Sequence, residues 1–84
     1  MDATRKVKFY DRLPEGFMRI TKSSVGELKN VWYIPSTNEF VILSRNKLRV
    51  FKTFERQGIT LITIPVDGQY HTLSANKLVR INSF

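Results

Sequence analysis

Eighty-four residues carrying no cysteine and a formal charge of +7 leave room for one small domain, which excludes most multi-site enzymes. The hydrophobic share of 42% and charged share of 25% are ordinary globular usage, so the chain folds around a thin core and does not persist as a basic tail. The missing cysteine removes disulfides, thiolate zinc sites and cysteine nucleophiles and fits an intracellular protein. No signal-type apolar run follows Met1-Asp2-Ala3-Thr4-Arg5-Lys6, and no stretch approaches the ~20 apolar residues of a membrane span. The expectation is a cytoplasmic protein, in the host cytoplasm if phage-encoded, whose high pI favours polyanions or acidic surfaces as partners.

In chain order, residues 1–8 read as a basic arm or a first strand, with Arg5, Lys6 and Lys8. Stretches rich in β-branched and aromatic residues follow at 7–10, 17–21, 31–34, 40–44, 48–54, 59–64 and 69–73, the spacing of a β-dominated domain. Between them Leu13-Pro14-Glu15-Gly16, Pro35-Ser36-Thr37-Asn38, Gln57-Gly58 and Pro65-Val66-Asp67-Gly68 supply turns. Residues 22–28 read as loop or a single helical turn. The clearest element is a hairpin of 59–64 with 69–73, closed at Asp67-Gly68, with Pro65 ending its first strand. A second hairpin joins 31–34 to 40–44. At the end Ser74 caps a short helix that places Ala75, Leu78 and Val79 on one face; the alternative is an edge strand over 77–82. The expected fold is mainly β (β-rich α+β) over one domain, residues 1–84. It is a small antiparallel sheet or partly open barrel of four to six strands with a short C-terminal helix.

Catalytic chemistry has little to stand on. His71 is the sole histidine, the seven carboxylates are scattered, and Gly26, Gly58 and Gly68 form no phosphate loop. The expectation is a non-enzymatic protein with no metal and no cofactor. The strongest signal is residues 44–56, where Arg45, Lys47, Arg49, Lys52 and Arg56 face one acid, Glu55. In an extended strand Arg45, Lys47 and Arg49 share one face, and Leu48, Val50 and Phe54 share the other. A sheet so built holds its apolar face on the core and presents a basic row to the phosphates and base edges of double-stranded DNA. A solvated strand whose charges discourage edge-to-edge pairing is the plainer account of the same row. Lys77 and Arg80 share a face of the helix and extend the footprint, and Asn76 is placed to read adenine. Tyr33 and Tyr70 are the candidate stacking residues; most other aromatics are needed for the interior.

The order of elements over residues 31–79 resembles the nuclease-associated modular DNA-binding segment that precedes the catalytic part of phage HNH homing endonucleases. Val31-Trp32-Tyr33-Ile34 looks like that family's first strand, Phe40-Val41-Ile42-Leu43-Ser44 its second, and Arg45-Asn46-Lys47-Leu48-Arg49 its basic link. Gly58-Ile59-Thr60-Leu61-Ile62-Thr63-Ile64 with Asp67-Gly68-Gln69-Tyr70 is similar to its hairpin, and Ser74-Ala75-Asn76-Lys77-Leu78-Val79 to its helix start. Asn76 stands where the family has histidine, and the sequence holds no HNH motif, so the resemblance implies a DNA-binding module without cleavage. Two alternatives remain. One is a phage-type protein-interaction module that docks on an acidic surface of a host enzyme or transcription factor, marked by an apolar hot spot at Trp32, Tyr33 or Phe51. Another is an RNA-binding barrel with Tyr33, Phe51 and Tyr70 on one face. A homodimer paired through edge strands is compatible with either.

Overall fold

The computed structural model describes residues 7–81. Its elements run β1 (Lys8–Tyr10), β2 (Met18–Arg19), β3 (Lys22–Ser23), β4 (Gly26–Glu27), β5 (Val31–Ile34), β6 (Glu39–Ser44), β7 (Lys47–Lys52), β8 (Phe54–Arg56), β9 (Ile59–Val66), β10 (Gln69–Ser74) and α1 (Ala75–Ile81). They form a five-stranded sheet in the order β1-β7-β6-β5-β2, a three-stranded sheet in the order β10-β9-β8, and the small β3-β4 ribbon. Every pairing is antiparallel. The fold is thus mainly β with one short C-terminal helix and no closed barrel, its strands divided among three sheets. No helix among the described residues is long and apolar enough to cross a membrane.

Turn chemistry sets the registers. Asp67 (φ 51) and Gly68 (φ 81) close β9 onto β10 with Val66 opposite Gln69, and Gln57 (φ 53) with Gly58 (φ 77) closes β8 onto β9. Two successive left-handed residues are the hairpin geometry whose twist matches that of the strands it joins. The hydroxyls of Thr63 and Thr72, directly opposite one another, lie 2.8 Å apart and add a side-chain rung to the longer hairpin.

The main core lies between the two larger sheets. Val31, Phe40 and Ile42 on one side meet Ile62, Ile64, Val66 and Leu73 on the other, and Ala75 and Leu78 of α1 close the end. A second, smaller core backs the same five-stranded sheet, where Ile34, Val41 and Val50 pack with Tyr10, Leu13 and Leu48. Strand β6 is therefore buried on both faces from Glu39 to Ile42. Ser74 precedes the first residue of α1, and Ala75, Leu78 and the half-buried Val79 turn to the core as the helical spacing requires.

Three expectations are corrected. Within 22–28, residues 22–27 form the β3-β4 ribbon, in which the Ser23 hydroxyl donates to the Gly26 carbonyl at 2.8 Å and accepts from the Val25 amide. Pro65 does not end its strand but pairs with Tyr70 inside β9; β8 reaches only Leu61, so the missing N–H of Pro65 costs nothing on that side. The stretch 48–54 divides at Thr53, because the chain leaves one sheet as β7 and enters the other as β8. Of the two readings of residues 1–8, the first strand holds for Lys8, which lies in β1 opposite Val50; Arg5 and Lys6 lie outside the described residues.

Glu39, the one buried ionisable residue of this core (5% exposed) among the described residues, ties β6 to its surroundings. Its carboxylate accepts hydrogen bonds from the Tyr10 and Thr37 hydroxyls, the latter at 2.9 Å, and Lys8 Nζ lies 3.6 Å away. Burial by itself pushes this carboxyl up, but the two hydroxyl donors and the ammonium outweigh it and hold the group below the usual carboxylate range. A carboxyl lowered on folding stabilises the native state above its unfolded value, near pH 4.5, and that contribution disappears as pH falls through the lower folded value. Glu39→Gln is expected to cost about 1–3 kcal/mol at neutral pH. In urea titrations at pH 7 and pH 3, its deficit against the wild type should shrink at the lower pH; a deficit unchanged by acid would remove the charge from the account.

Candidate nucleic-acid interface

The basic run does not form an outward row. Across the β6–β7 ladder Phe40 faces Phe51, Ile42 faces Arg49, and Ser44 faces Lys47. Directly opposed residues share a face, so Lys47, Arg49 and Phe51 lie on the side of the main core, and Leu48 and Val50 on the side of the smaller one. The sequence pairs Arg45 with this face as a strand residue. Instead Arg45 (φ 53) and Asn46 (φ 62) are the two left-handed residues of the β6–β7 turn. Phe54, expected beside Leu48 and Val50, sits beyond the break at Thr53 in the other sheet.

The three-stranded sheet covers only part of this face, and two grooves open where cover ends. The first, of about 440 Å³, is lined by Phe9, Ile42, Ser44, Arg45, Lys47, Arg49, Phe51, Pro65 and Tyr70. Its floor is the end of the β1-β7-β6 ladder, where Phe9 lies opposite Arg49, and its wall is the tip of the β9–β10 hairpin. The second, of about 670 Å³, runs around the end of β7 and includes Lys8, Lys52, Phe54, Arg56 and Thr63; Arg49 and Phe51 line both.

Each groove pairs cations with aromatic faces. Lys47 Nζ lies 5.6 Å from the Phe9 ring centroid, the Arg49 guanidinium 4.7 Å from Phe51, and the Arg56 guanidinium 5.8 Å from Phe54. Lys8 Nζ lies 4.9 Å from the Tyr10 ring. Such contacts are worth about 0.5–1 kcal/mol when exposed and they orient long side chains without neutralising them. Among the described residues none of Arg45, Lys47, Arg49, Lys52 and Arg56 is held in an ion pair. The Nε of Arg49 is buried with no hydrogen-bond partner.

The structure therefore gathers all five basic residues singled out in 45–56, with Arg49 at the junction of the two grooves. Tyr70 stands exposed at the first groove. Tyr33 does not: its ring packs 4.8 Å from Phe40, and its hydroxyl donates to Asn38 Oδ1 at 2.8 Å. Lys77 and Arg80 are exposed on α1, which packs against β3, β9 and β10, and they line neither groove. Sequence reasoning missed Phe9 and Pro65 as groove residues, and named Lys8 only within the N-terminal cluster and Phe51 only in the alternative readings. The available signal was the alternation of cations and aromatics in Lys8-Phe9-Tyr10 and Arg49-Val50-Phe51-Lys52, which resembles core patterning when read one segment at a time. Among the described residues no three His, Cys, Asp or Glu side chains gather as metal ligands would. No protein-family model, curated protein or solved structure matches the chain.

Arg45 carries a test of its own. A left-handed residue that is neither glycine nor asparagine stores backbone strain, and the preferred residues of this turn are Asn, Asp and Gly. Arg45→Asn is expected to raise unfolding stability by about 0.5–1 kcal/mol, read as an increased urea midpoint at unchanged slope; a lower midpoint would show that the arginine side chain supports the fold.

Proposed function

We propose that this protein is a small non-enzymatic nucleic-acid-binding protein that holds the phosphate backbone along its two connected basic grooves. One observation supports the reading: the cations of 45–56, none in an ion pair among the described residues, line two adjoining grooves that share Arg49 and Phe51, and Lys8, paired with Glu39, borders the second. Phosphates are the polyanion such a surface suits, because each contact replaces condensed counterions and draws on the field of the whole chain. A third groove contrasts with these, since Glu27, Lys29 and Asp67 give it both signs. The resemblance of residues 31–79 to the DNA-binding segment of HNH endonucleases agrees with the proposal. Double-stranded DNA is the form expected from the sequence, and it is one arm of the test.

A protein partner is less well supported. Trp32, Tyr33 and Phe51 are each half-buried, and Phe51 lies under the Arg49 guanidinium, so these residues do not offer an exposed apolar anchor.

The experiment is fluorescence anisotropy with labelled duplex DNA, single-stranded DNA and RNA between about 50 and 200 mM salt. Affinity is expected to fall steeply with salt. Lys47→Gln, Lys52→Gln and Arg56→Gln should each weaken binding and reduce the slope by about one unit for every phosphate no longer neutralised. Lys77→Gln, away from the grooves, should leave the slope unchanged. No binding at low salt would overturn the proposal and turn attention to acidic protein partners, sought by pull-down.

A further inference from the structure

We infer that the first groove seats an unpaired base of a single strand, with Tyr70 and Phe9 as its stacking faces and the second groove taking the continuing phosphates. This rests on the nucleic-acid reading above and narrows it to strands with unstacked bases.

Tyr70 is 60% and Phe9 49% exposed, although a core this thin has use for every aromatic ring. Both rings border a recess whose remaining apolar surface comes from Ile42, Phe51 and Pro65. Its volume, about 440 Å³, falls in the range of sites that enclose small planar ligands, about 300–1,000 Å³. A recess with aromatic edges receives the face of a base. Bases paired and stacked in a duplex present only their edges, and reading those requires side chains that stand out from a sheet into the DNA groove. Here Lys47 and Arg49 stand within the recess, where they meet phosphates on either side of an inserted base. Arg49 lines both grooves, so its guanidinium is within reach of such an anion from either.

Continuity selects a strand over a free nucleotide. Arg49 and Phe51 line both grooves, so a chain whose base sits against Tyr70 passes directly to Lys8, Lys52 and Arg56. Stacking uses the face that every base has, so recognition through Tyr70 tolerates any base.

The test separates stacking from charge by comparing a labelled single strand with an all-abasic strand of equal length and charge, together with the duplex and a free mononucleotide. The intact strand, DNA or RNA, is expected to bind at least about tenfold tighter than the abasic strand, in line with what stacking contributes per base. Tyr70→Ala should abolish that ratio while leaving abasic affinity and its salt slope unchanged, and Tyr70→Phe should retain it. Tyr70 lies at an exposed hairpin tip, so its truncation spares the core; Lys47→Gln should show the reverse pattern, with a lower slope and the ratio preserved. Equal affinity for intact and abasic strands, a ratio indifferent to Tyr70→Ala, or tighter binding of the duplex or mononucleotide overturns the inference while the phosphate-binding reading stands. No binding to any probe overturns both.

Discussion

Strand β6 has to be covered on both faces. Phe40, Val41 and Ile42 form an uninterrupted buried run, so whichever way the strand faces, apolar surface needs a partner. The β9–β10 hairpin with α1 supplies one cover, and the segment around Tyr10 and Leu13 supplies the other. Among the described residues the five-stranded sheet is not covered completely, in line with the lower fraction of surface that small domains bury. The grooves are what remains uncovered. Their location follows from where the hairpin tip and β8 stop, and their residues follow from which parity of β7 happens to face them.

That parity places the cations beside the core. On an outward face Lys47 and Arg49 would be fully solvated and nearly independent. On this face they lie near Phe9 and Phe51, in a less polar setting where each unpaired charge interacts more strongly with its neighbours. With a net charge of +7, such crowding works against the compact state. The Lys8–Glu39 contact offsets the one groove cation that β1 supplies; among the described residues those of 45–56 have no ion-pair partner. An arrangement that is mildly unfavourable alone becomes favourable once an anion occupies the grooves.

The two expected hairpins were legible because Asp67-Gly68 advertises a left-handed turn between β9 and β10, and Ser36-Thr37-Asn38 separates the β-rich runs of β5 and β6. The terminal helix was legible from Ser74 and the spacing of Ala75, Leu78 and Val79. The β6–β7 turn was not, because Arg45 is no turn residue by type and extends a basic alternation that continues through Lys47 and Arg49. The face of the basic row was misread for a related reason. Alternation identifies an inner face only when one side is buried, and both parities of β7 are apolar, Val50 on one side and Phe51 on the other. Phe51 is what puts Arg49 on the main-core face, yet it reads in sequence as one more core aromatic. Pro65 misled through a rule that holds for paired edges: β9 has a single neighbour at that point.

The left-handed positions of the chain sort these departures. Among the described residues most are occupied by Asn, Asp or Gly, which tolerate the conformation; Arg45 and Gln57 are the two that are not. Arg45 lines the first groove, and Gln57 directly follows Arg56 of the second. The same grooves hold the Arg49 Nε without an acceptor among the described residues and the exposed rings of Phe9 and Tyr70. Each of these is a place where stability alone would choose a different residue, whereas the Asp67-Gly68 turn, the Thr63–Thr72 rung and the Glu39 cluster satisfy local preference. Sequences that specify a fold agree with themselves at every level except where a site imposes its own demand. The concentration of local conflict around one pair of grooves, against consistency elsewhere, is the physical argument for seeking the ligand there.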